Sequence, residues 1–286
     1  MKKILFLSGK GGTGKTTITG AFARLLQAEY VMDCDVEAPN IHLLYPDTVL
    51  HEIAPYYGLD KAWIDPVVCT GCGSCFSACH FEAIHAHETH FVVDDMACEG
   101  CQVCQLVCPE SAIQMKKVVG GIIYACFLTP ALYSAELKMG SGNSGLLVSR
   151  IKSQLDEHGH EDAITLIDGP PGIGCPVIAS IKDVDFLVFV TEPSYSGLHD
   201  LERILRMVKK QCIPSAIIIN KYDLHMEITQ SIMDFAKKES LPIIGNIPFD
   251  PSVVHVQNQG KTMLDASPRV KQSVIESYEK LKQLIA

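Results

Sequence analysis

The sequence predicts an α/β fold: a doubly wound, mainly parallel sheet into which a small cysteine-rich α+β unit is inserted. Three observations lead there. Short apolar runs alternate with segments of helical apolar spacing over most of the chain, as strands and crossover helices do. The glycine-rich stretch Gly9-Lys10-Gly11-Gly12-Thr13-Gly14-Lys15-Thr16 joins the first apolar run to the first helical segment, and it fits the phosphate-loop pattern GxxxxGK[ST] without a mismatch. Eight of the 12 cysteines fall between Cys69 and Cys108 in two runs of equal spacing, and there the alternation stops.

Lys3 to Leu7 reads as a buried strand, and Thr17 to Gln27, with Ile18, Ala21, Phe22, Leu25 and Leu26, as a helix. Between them Gly9, Gly11, Gly12, Thr13 and Gly14 can turn successive N–H groups toward one anion, with Thr17 closing the cradle. Lys15 adds a point charge at the β/γ-phosphates and the Thr16 hydroxyl can sit on Mg²⁺. Lys10 extends the motif to KGGxGKT. That form resembles the deviant phosphate loop of the MinD/Mrp/nitrogenase-iron-protein family of ATPases. The resemblance implies bound ATP and Mg²⁺ and a homodimer in the ATP state. It also implies that Lys10 reaches the nucleotide of the facing subunit as an arginine finger would, while Lys15 serves its own.

A chain of 286 residues with 47% hydrophobic content can bury one large domain and one small one. The chain has no run of about 18 apolar residues and only five apolar-type positions before the phosphate loop, so neither a membrane span nor a signal peptide is expected and the cytoplasm is the expected compartment. There cysteines stay reduced, which directs the cysteine count to metal. The net charge of −9 is uneven: Ile64 to Lys116 holds seven acids and one base. Such a surface repels phosphate backbones, so no nucleic-acid partner is expected.

Tyr30 to Met32 reads as the second strand, closing on Asp33-Cys34-Asp35. The family resembled implies that Asp35 positions the attacking water in switch I and that Asp33 supports Mg²⁺. Cys34 between them reads as a buried filler.

Cys69, Cys72, Cys75 and Cys79 form C-x₂-C-x₂-C-x₃-C, and Cys98, Cys101, Cys104 and Cys108 repeat it 29 residues later. Gly71/Gly100, Ala83/Ala112 and Ile84/Ile113 extend the repeat, so the unit is an internal duplication. This is the pattern of a bacterial-type ferredoxin with two 4Fe-4S clusters, in which the fourth cysteine of each run ligates the other cluster. The expected sets are Cys69, Cys72, Cys75 with Cys108, and Cys98, Cys101, Cys104 with Cys79. Zinc is the alternative, though its motifs offer paired cysteines across longer loops. Pro109 follows Cys108 as that pattern asks, whereas His80 follows Cys79. His80, His85, His87 and His90 read as solvated loop residues between the runs. The resulting division is 63–116 for the ferredoxin-like insert, with 1–62 and 117–286 for the ATPase domain.

Beyond the insert, Val118 to Phe127 and Leu128 to Met139 read as a hairpin, and Gly140 to Gly145 as the entrance of a helix through Leu146, Leu147, Ile151 and Leu155. Ala163 to Asp168 reads as a Walker-B strand whose acid reaches Mg²⁺ through water, followed by a switch II loop at Gly169-Pro170-Pro171-Gly172. Further strands are expected at Phe186–Val190, Ala216–Ile219 and Pro242–Ile247, with helices at Gly197–Lys209 and His225–Lys238. Asn220-Lys221-Tyr222-Asp223 matches NKxD, in which Asp223 would accept from guanine. In the family resembled, the asparagine at this place reads adenine and the loop at Pro248 covers the base. ATP is the expected nucleotide, with GTP kept open.

Val270, Val274, Ile275, Tyr278 and Leu281 have helical spacing, expected to pack on the sheet rather than bind a membrane. Cys175 lies seven residues after Asp168, the spacing of a cluster cysteine in the nitrogenase iron protein; a buried packing cysteine is expected here. The leading functional expectation is an ATPase whose nucleotide-dependent dimer couples turnover to electron transfer, or to iron–sulfur or metallocofactor handling, on an unidentified partner protein. The alternatives are a MinD-like positioning ATPase with structural or sensory clusters, and a cluster carrier of the Mrp type. Those carriers use a cysteine pair in the C-terminal half, and no CxxC follows Cys108.

Overall fold

A computed structural model describes residues 1–286. Strand β1 (Lys2–Ser8) leads into α1 (Lys15–Leu26), β2 (Tyr30–Asp33), β3 (His51–Tyr57) and β4 (Lys61–Ile64). The cysteine-rich segment supplies α2 (Ser74–Ala78), β5 (Ile84–His87), β6 (His90–Val93), α3 (Val103–Leu106) and β7 (Ile113–Lys116). There follow β8 (Val119–Cys126), β9 (Ala131–Leu137), α4 (Ser144–His158), β10 (Ile164–Pro171), α5 (Cys175–Ile181), β11 (Phe186–Thr191) and α6 (Tyr195–Val208). The chain ends with β12 (Ser215–Asn220), α7 (Met226–Lys238), β13 (Ile243–Ile247), α8 (Ser252–Gln257) and α9 (Pro268–Ile285).

Nine strands form one sheet in the order β13-β12-β11-β1-β10-β2-β9-β8-β3. Every neighbouring pair from β13 to β9 is parallel, and β8 runs antiparallel to both β9 and β3. The expected mainly parallel sheet is therefore present, as is the expected hairpin of β8 and β9; β3, which extends this antiparallel edge, is not expected from the sequence. Strand β3 (His51-Glu52-Ile53-Ala54-Pro55-Tyr56-Tyr57) has no clean apolar alternation. Pro55 is tolerated because an edge strand has an unpaired side.

Because successive residues of a strand face opposite sides, β1 feeds two cores. Ile4 and Phe6 join Ile18 and Phe22 of α1 and Val270, Val274 and Leu281 of α9 on one face. Leu5 and Leu7 join residues of α4, α5, α6 and α7 on the other. The Phe6 and Phe22 rings meet edge-on at 5.4 Å. The C-terminal helix thus packs on the sheet, and no helix of the protein is long and apolar enough to cross a membrane.

Residues 61–116 build a third core around Ala62, Ile64, Cys75, Ala83, Ile84 and Ile113. Its two small antiparallel sheets are β4 with β7 and β5 with β6. The sequence repeat is also a structural one. The Asp65 N–H donates to the Ala112 carbonyl at 2.8 Å, and 29 residues on the Asp94 N–H donates to that of Ala83 at 2.8 Å, so each half completes the other. This unit's first strand begins at Lys61, two residues before the expected boundary at Trp63. Of the four histidines between the cysteine runs, His80 lies in an exposed turn as expected, but His85, His87 and His90 lie on the β5–β6 hairpin, with His85 and His87 exposed.

Candidate functional site

Parallel strands release their C-terminal ends on one side, and the crevice there is where ligands of such sheets bind. From that edge β1 delivers the phosphate loop, β2 Asp33 and Asp35, β10 Asp168, β11 Glu192 and β12 Asn220. Register puts Phe6 beside Asp168 and Asp168 beside Asp33, so strand pairing alone brings the loop and both acids together.

A cavity of about 560 Å³ opens over the loop, lined by Gly11 to Thr17 together with Asp35, Asn220, Pro248 and Phe249. Its size suits a nucleotide. Gly12 and Gly14 have φ of 81° and 85°. Gly14 also backs onto Asn220, whose Nδ2 would lie 2.3 Å from an added Cβ, whereas Gly12 faces open space. Glycine at 14 thus satisfies both a left-handed backbone and a close approach. The Asn220 Nδ2 donates to the Thr13 carbonyl at 2.8 Å and its Oδ1 accepts from the Lys221 N–H at 3.0 Å. Asn220 therefore ties the phosphate loop to β12. The Thr13 hydroxyl is buried with no partner, and Thr17 accepts from Gln257 at 2.7 Å.

Asp168 is fully buried and gathers the loop's polar groups. The Lys15 Nζ lies 2.7 Å from its Oδ1, the Thr16 hydroxyl donates to Oδ2 at 2.6 Å, and the Thr19 hydroxyl donates to Oδ1 at 3.0 Å. Thr16 and Asp168 supply the oxygens beside which Mg²⁺ would be held together with phosphate. Asp33 differs from expectation. Both of its oxygens are taken by backbone N–H groups, from Asp35 at 3.0 Å, Asn40 at 2.8 Å and Ile41 at 3.0 Å. Its carboxyl is pushed up to about 7, by burial first and then by the charge of Asp168. Asp33 fixes the shape of the loop that carries Asp35. Asp35 lines the cavity, and its carboxyl is raised by burial and by Asp168 against the opposing pull of Lys15.

Lys10 does not line the cavity. Its Nζ lies 2.7 Å from Glu192 Oε1 and donates to the hydroxyls of Ser194 and Ser196 at 3.1 and 3.0 Å. Lys221 holds the other oxygen of Glu192 at 2.9 Å and donates to the Gly12 carbonyl at 2.9 Å. Burial works against the charged form of Glu192, but the bonds and charges of the two lysines outweigh it and hold the carboxyl below its usual range. The sequence reading missed both Glu192 and Lys221. Glu192 follows an apolar strand in the same way as Asp33 and Asp168, and that position was the available signal.

Asp223 is turned away from the cavity. Its oxygens accept from the Phe249 N–H at 2.7 Å and from Arg269 at 2.9 Å, so the residue of NKxD that would read guanine is engaged in holding the Pro248 loop. Cys175 is another correction: it is exposed, as the first residue of α5. Its position at the rim of the switch II loop, against Gly145, takes it out of the core. Cys34 is fully buried, and burial pushes its thiol up to about 12.

In the 61–116 unit, Cys69, Cys72, Cys75 and Cys108 line one cavity, and Cys79, Cys98, Cys101 and Cys104 line a second. On the scale that gives the nucleotide cavity 560 Å³ they hold about 10 and 20 Å³. No three His, Cys, Asp or Glu side chains anywhere in the protein are grouped as a single metal ion would require.

Residues 4–263 match the CobQ/CobB/MinD/ParA nucleotide-binding domain. An uncharacterized protein of Methanocaldococcus jannaschii is 34% identical over 99% of this chain and 97% of its own length. An iron-sulfur cluster carrier protein of Pyrococcus horikoshii is 25% identical over 87% of this chain and 74% of its own. Among solved structures, the septum site-determining protein MinD of Pyrococcus horikoshii, complexed with Mg-ADP, superposes with a TM-score of 0.58. It covers 99% of this chain and 96% of its own at 19% identity, a likeness of fold. The chain therefore belongs to the CobQ/CobB/MinD/ParA family and has its P-loop ATPase fold.

Proposed function

We propose that this protein is an ATP-hydrolysing iron–sulfur protein whose nucleotide-dependent homodimer couples turnover to electron transfer, or to iron–sulfur or metallocofactor handling, on a partner protein. One observation carries the iron–sulfur half: the eight cysteines sort into two cavities of four, with Cys79 and Cys108 exchanged between the runs. That crossed pairing is the arrangement of a two-cluster bacterial ferredoxin. The near-twofold repeat of 61–116 supports it, and a single tetrahedral ion would need its sulfurs gathered about one point. Cys69, Cys72, Cys75 and Cys108 would hold one 4Fe-4S cluster and the other four cysteines the second. The clusters would supply one-electron storage; the protein supplies the thiolates, their spacing and the shielding apolar core of the unit.

The ATPase half rests on Lys15, Thr16 and Asp168 around the cavity, with Asp35 at its rim to orient water and Lys10 outside it, paired with Glu192, which it would leave to serve a facing subunit. ATP is favoured over GTP because Asp223 is occupied by Phe249 and Arg269. A second reading, transfer of a cluster to another protein, is favoured by the likeness to the Pyrococcus carrier protein. Against it stands the lack of a cysteine pair after Cys108.

The experiment is anaerobic isolation with iron, sulfide and EPR analysis, and identification of what co-purifies in ATP. About eight irons and eight sulfides per chain are expected. Stoichiometric zinc with about four or fewer irons would refute the cluster assignment, and transfer of a labile cluster to an apo-protein would favour the carrier.

A further inference from the structure

We infer that Lys61 makes the two clusters electrochemically unequal, raising the reduction potential of the one held by Cys79, Cys98, Cys101 and Cys104, which is seated against the ATPase. This rests on the two-cluster reading above.

Lys61 is buried, 8% exposed, yet it takes part in none of the protein's ion pairs. Its Nζ donates instead to the backbone carbonyl of Cys98. A buried ammonium without a counter-charge is costly. A cluster bound by four thiolates is anionic and would supply that charge from the adjoining cavity, which Cys98 and Ala62 line. Reduction adds one electron and no proton, so the group next to Lys61 becomes more negative, and a neighbouring cation favours that form.

The internal repeat contains its own control. The Gly100 loop lies against the Asp60 carbonyl, 2.4 Å from where a Cβ would stand, and the Gly71 loop lies against the Thr89 carbonyl in the same way at 2.8 Å. Asp60 and Thr89 are 29 residues apart, and by the same offset the counterpart of Lys61 is His90. His90 is half-buried, its ring is 5.2 Å from that of His87, and it makes no hydrogen bond to a cysteine. The ammonium is therefore present on one side only.

The side it occupies is the one that touches the nucleotide-binding domain. Gly100 meets Leu59 and Asp60 just beyond edge strand β3, while Met96 and Glu99 lie against Gly140 and Gly142 at the entrance of α4. The Gly71 and Gly73 loop of the other set meets Thr89 and Phe91, both inside the 61–116 unit. An electron on this unit would thus rest preferentially at the cluster nearest the ATPase.

The test is an EPR-monitored titration with dithionite and mediators on anaerobic full-length protein holding about eight irons. The proximal cluster is identified as the signal that Cys101→Ser perturbs. In Lys61→Met its reduction equilibrium should become at least about tenfold less favourable, about 59 mV for a one-electron couple, with the distal cluster unmoved. Lys61→Arg should keep the wild-type value. Unchanged potentials in Lys61→Met, or equal shifts at both clusters, would overturn the inference. Should Lys61→Met lose iron, Lys61→Gln, which keeps a donor for the Cys98 carbonyl without the charge, is read by the same criteria. Loss of the same four irons in the Met and Gln variants but not in Arg would support a requirement for the charge. Loss in all three would make Lys61 a packing residue and overturn it. Wild-type protein without two clusters would instead defeat the underlying reading.

Discussion

Replacing Lys10 by alanine separates binding from turnover, and the structure sets the size of each effect. The Lys10 ion pair with Glu192 is partly exposed, with side chains 27% and 17% accessible, so its loss costs about 1 kcal/mol at most. Glu192 is not orphaned, because Lys221 stays 2.9 Å away. Lys10 is outside the 560 Å³ cavity, so ATP affinity should change by less than about fivefold, under about 1 kcal/mol. If Lys10 acts across a dimer on the charge developing in the transition state, turnover should fall by about 10³–10⁵, roughly 4–7 kcal/mol. Lys15→Ala behaves differently. It leaves buried Asp168 without its cation at 2.7 Å, a loss of about 3–5 kcal/mol, and nucleotide binding disappears with it. The assays are equilibrium binding of a fluorescent ATP analogue and hydrolysis over a wide range of protein concentration. Wild-type specific activity should rise with concentration as dimers form. Unchanged turnover in Lys10→Ala, or wild-type turnover independent of concentration in a monomer, would refute the trans role.

Three further outcomes are expected. The Asp33 carboxyl is raised from 3.8 to about 7 in the fold, so its contribution to stability is complete below about pH 3.8 and is lost as pH rises through about 7. Between about pH 5 and about pH 7.5 wild type should therefore lose ground to Asp33→Asn in urea unfolding, by at most about 1.4 kcal/mol per pH unit; a constant difference would contradict the assignment. Asp223→Asn should leave the ratio of ATP to GTP affinity unchanged, since its carboxylate already holds Phe249 and Arg269; a selective loss of GTP binding would reinstate the guanine reading. The contacts of Met96 and Glu99 with the Gly140–Gly142 loop join the cysteine unit to the entrance of α4, and Gly145 of the same helix abuts Cys175. Cluster potentials should then differ between nucleotide-free, ADP and non-hydrolysable-analogue states, with ATP affinity changed by cluster reduction by the same factor, about 5- to 150-fold. Equal potentials in all three states would leave coupling to a partner.

What could be read from sequence was whatever is local along the chain. The phosphate loop is a run of eight residues whose glycines and lysines act within a few bonds of one another, and the parallel strands announce themselves as continuous apolar runs because both faces are covered. The cysteine spacing anticipates for the same reason the two sets of four that line the two cavities, with Cys79 and Cys108 exchanged between the runs. Tertiary structure alone decided the rest. Edge strand β3 exists because β8 offers it a partner, not through its own pattern. Asp33 and Asp223 carry the residue types of a cation ligand and a base reader, but neighbouring backbone and Arg269 occupy their oxygens. Glu192 and Lys221 meet Lys10 and Gly12 across about two hundred residues, and Lys61 meets Cys98 through the folding of one half of a repeat onto the other. A side chain's type is written in the sequence, but its protonation, its partners and its availability are set by charges and donors that only folding brings within a few ångströms.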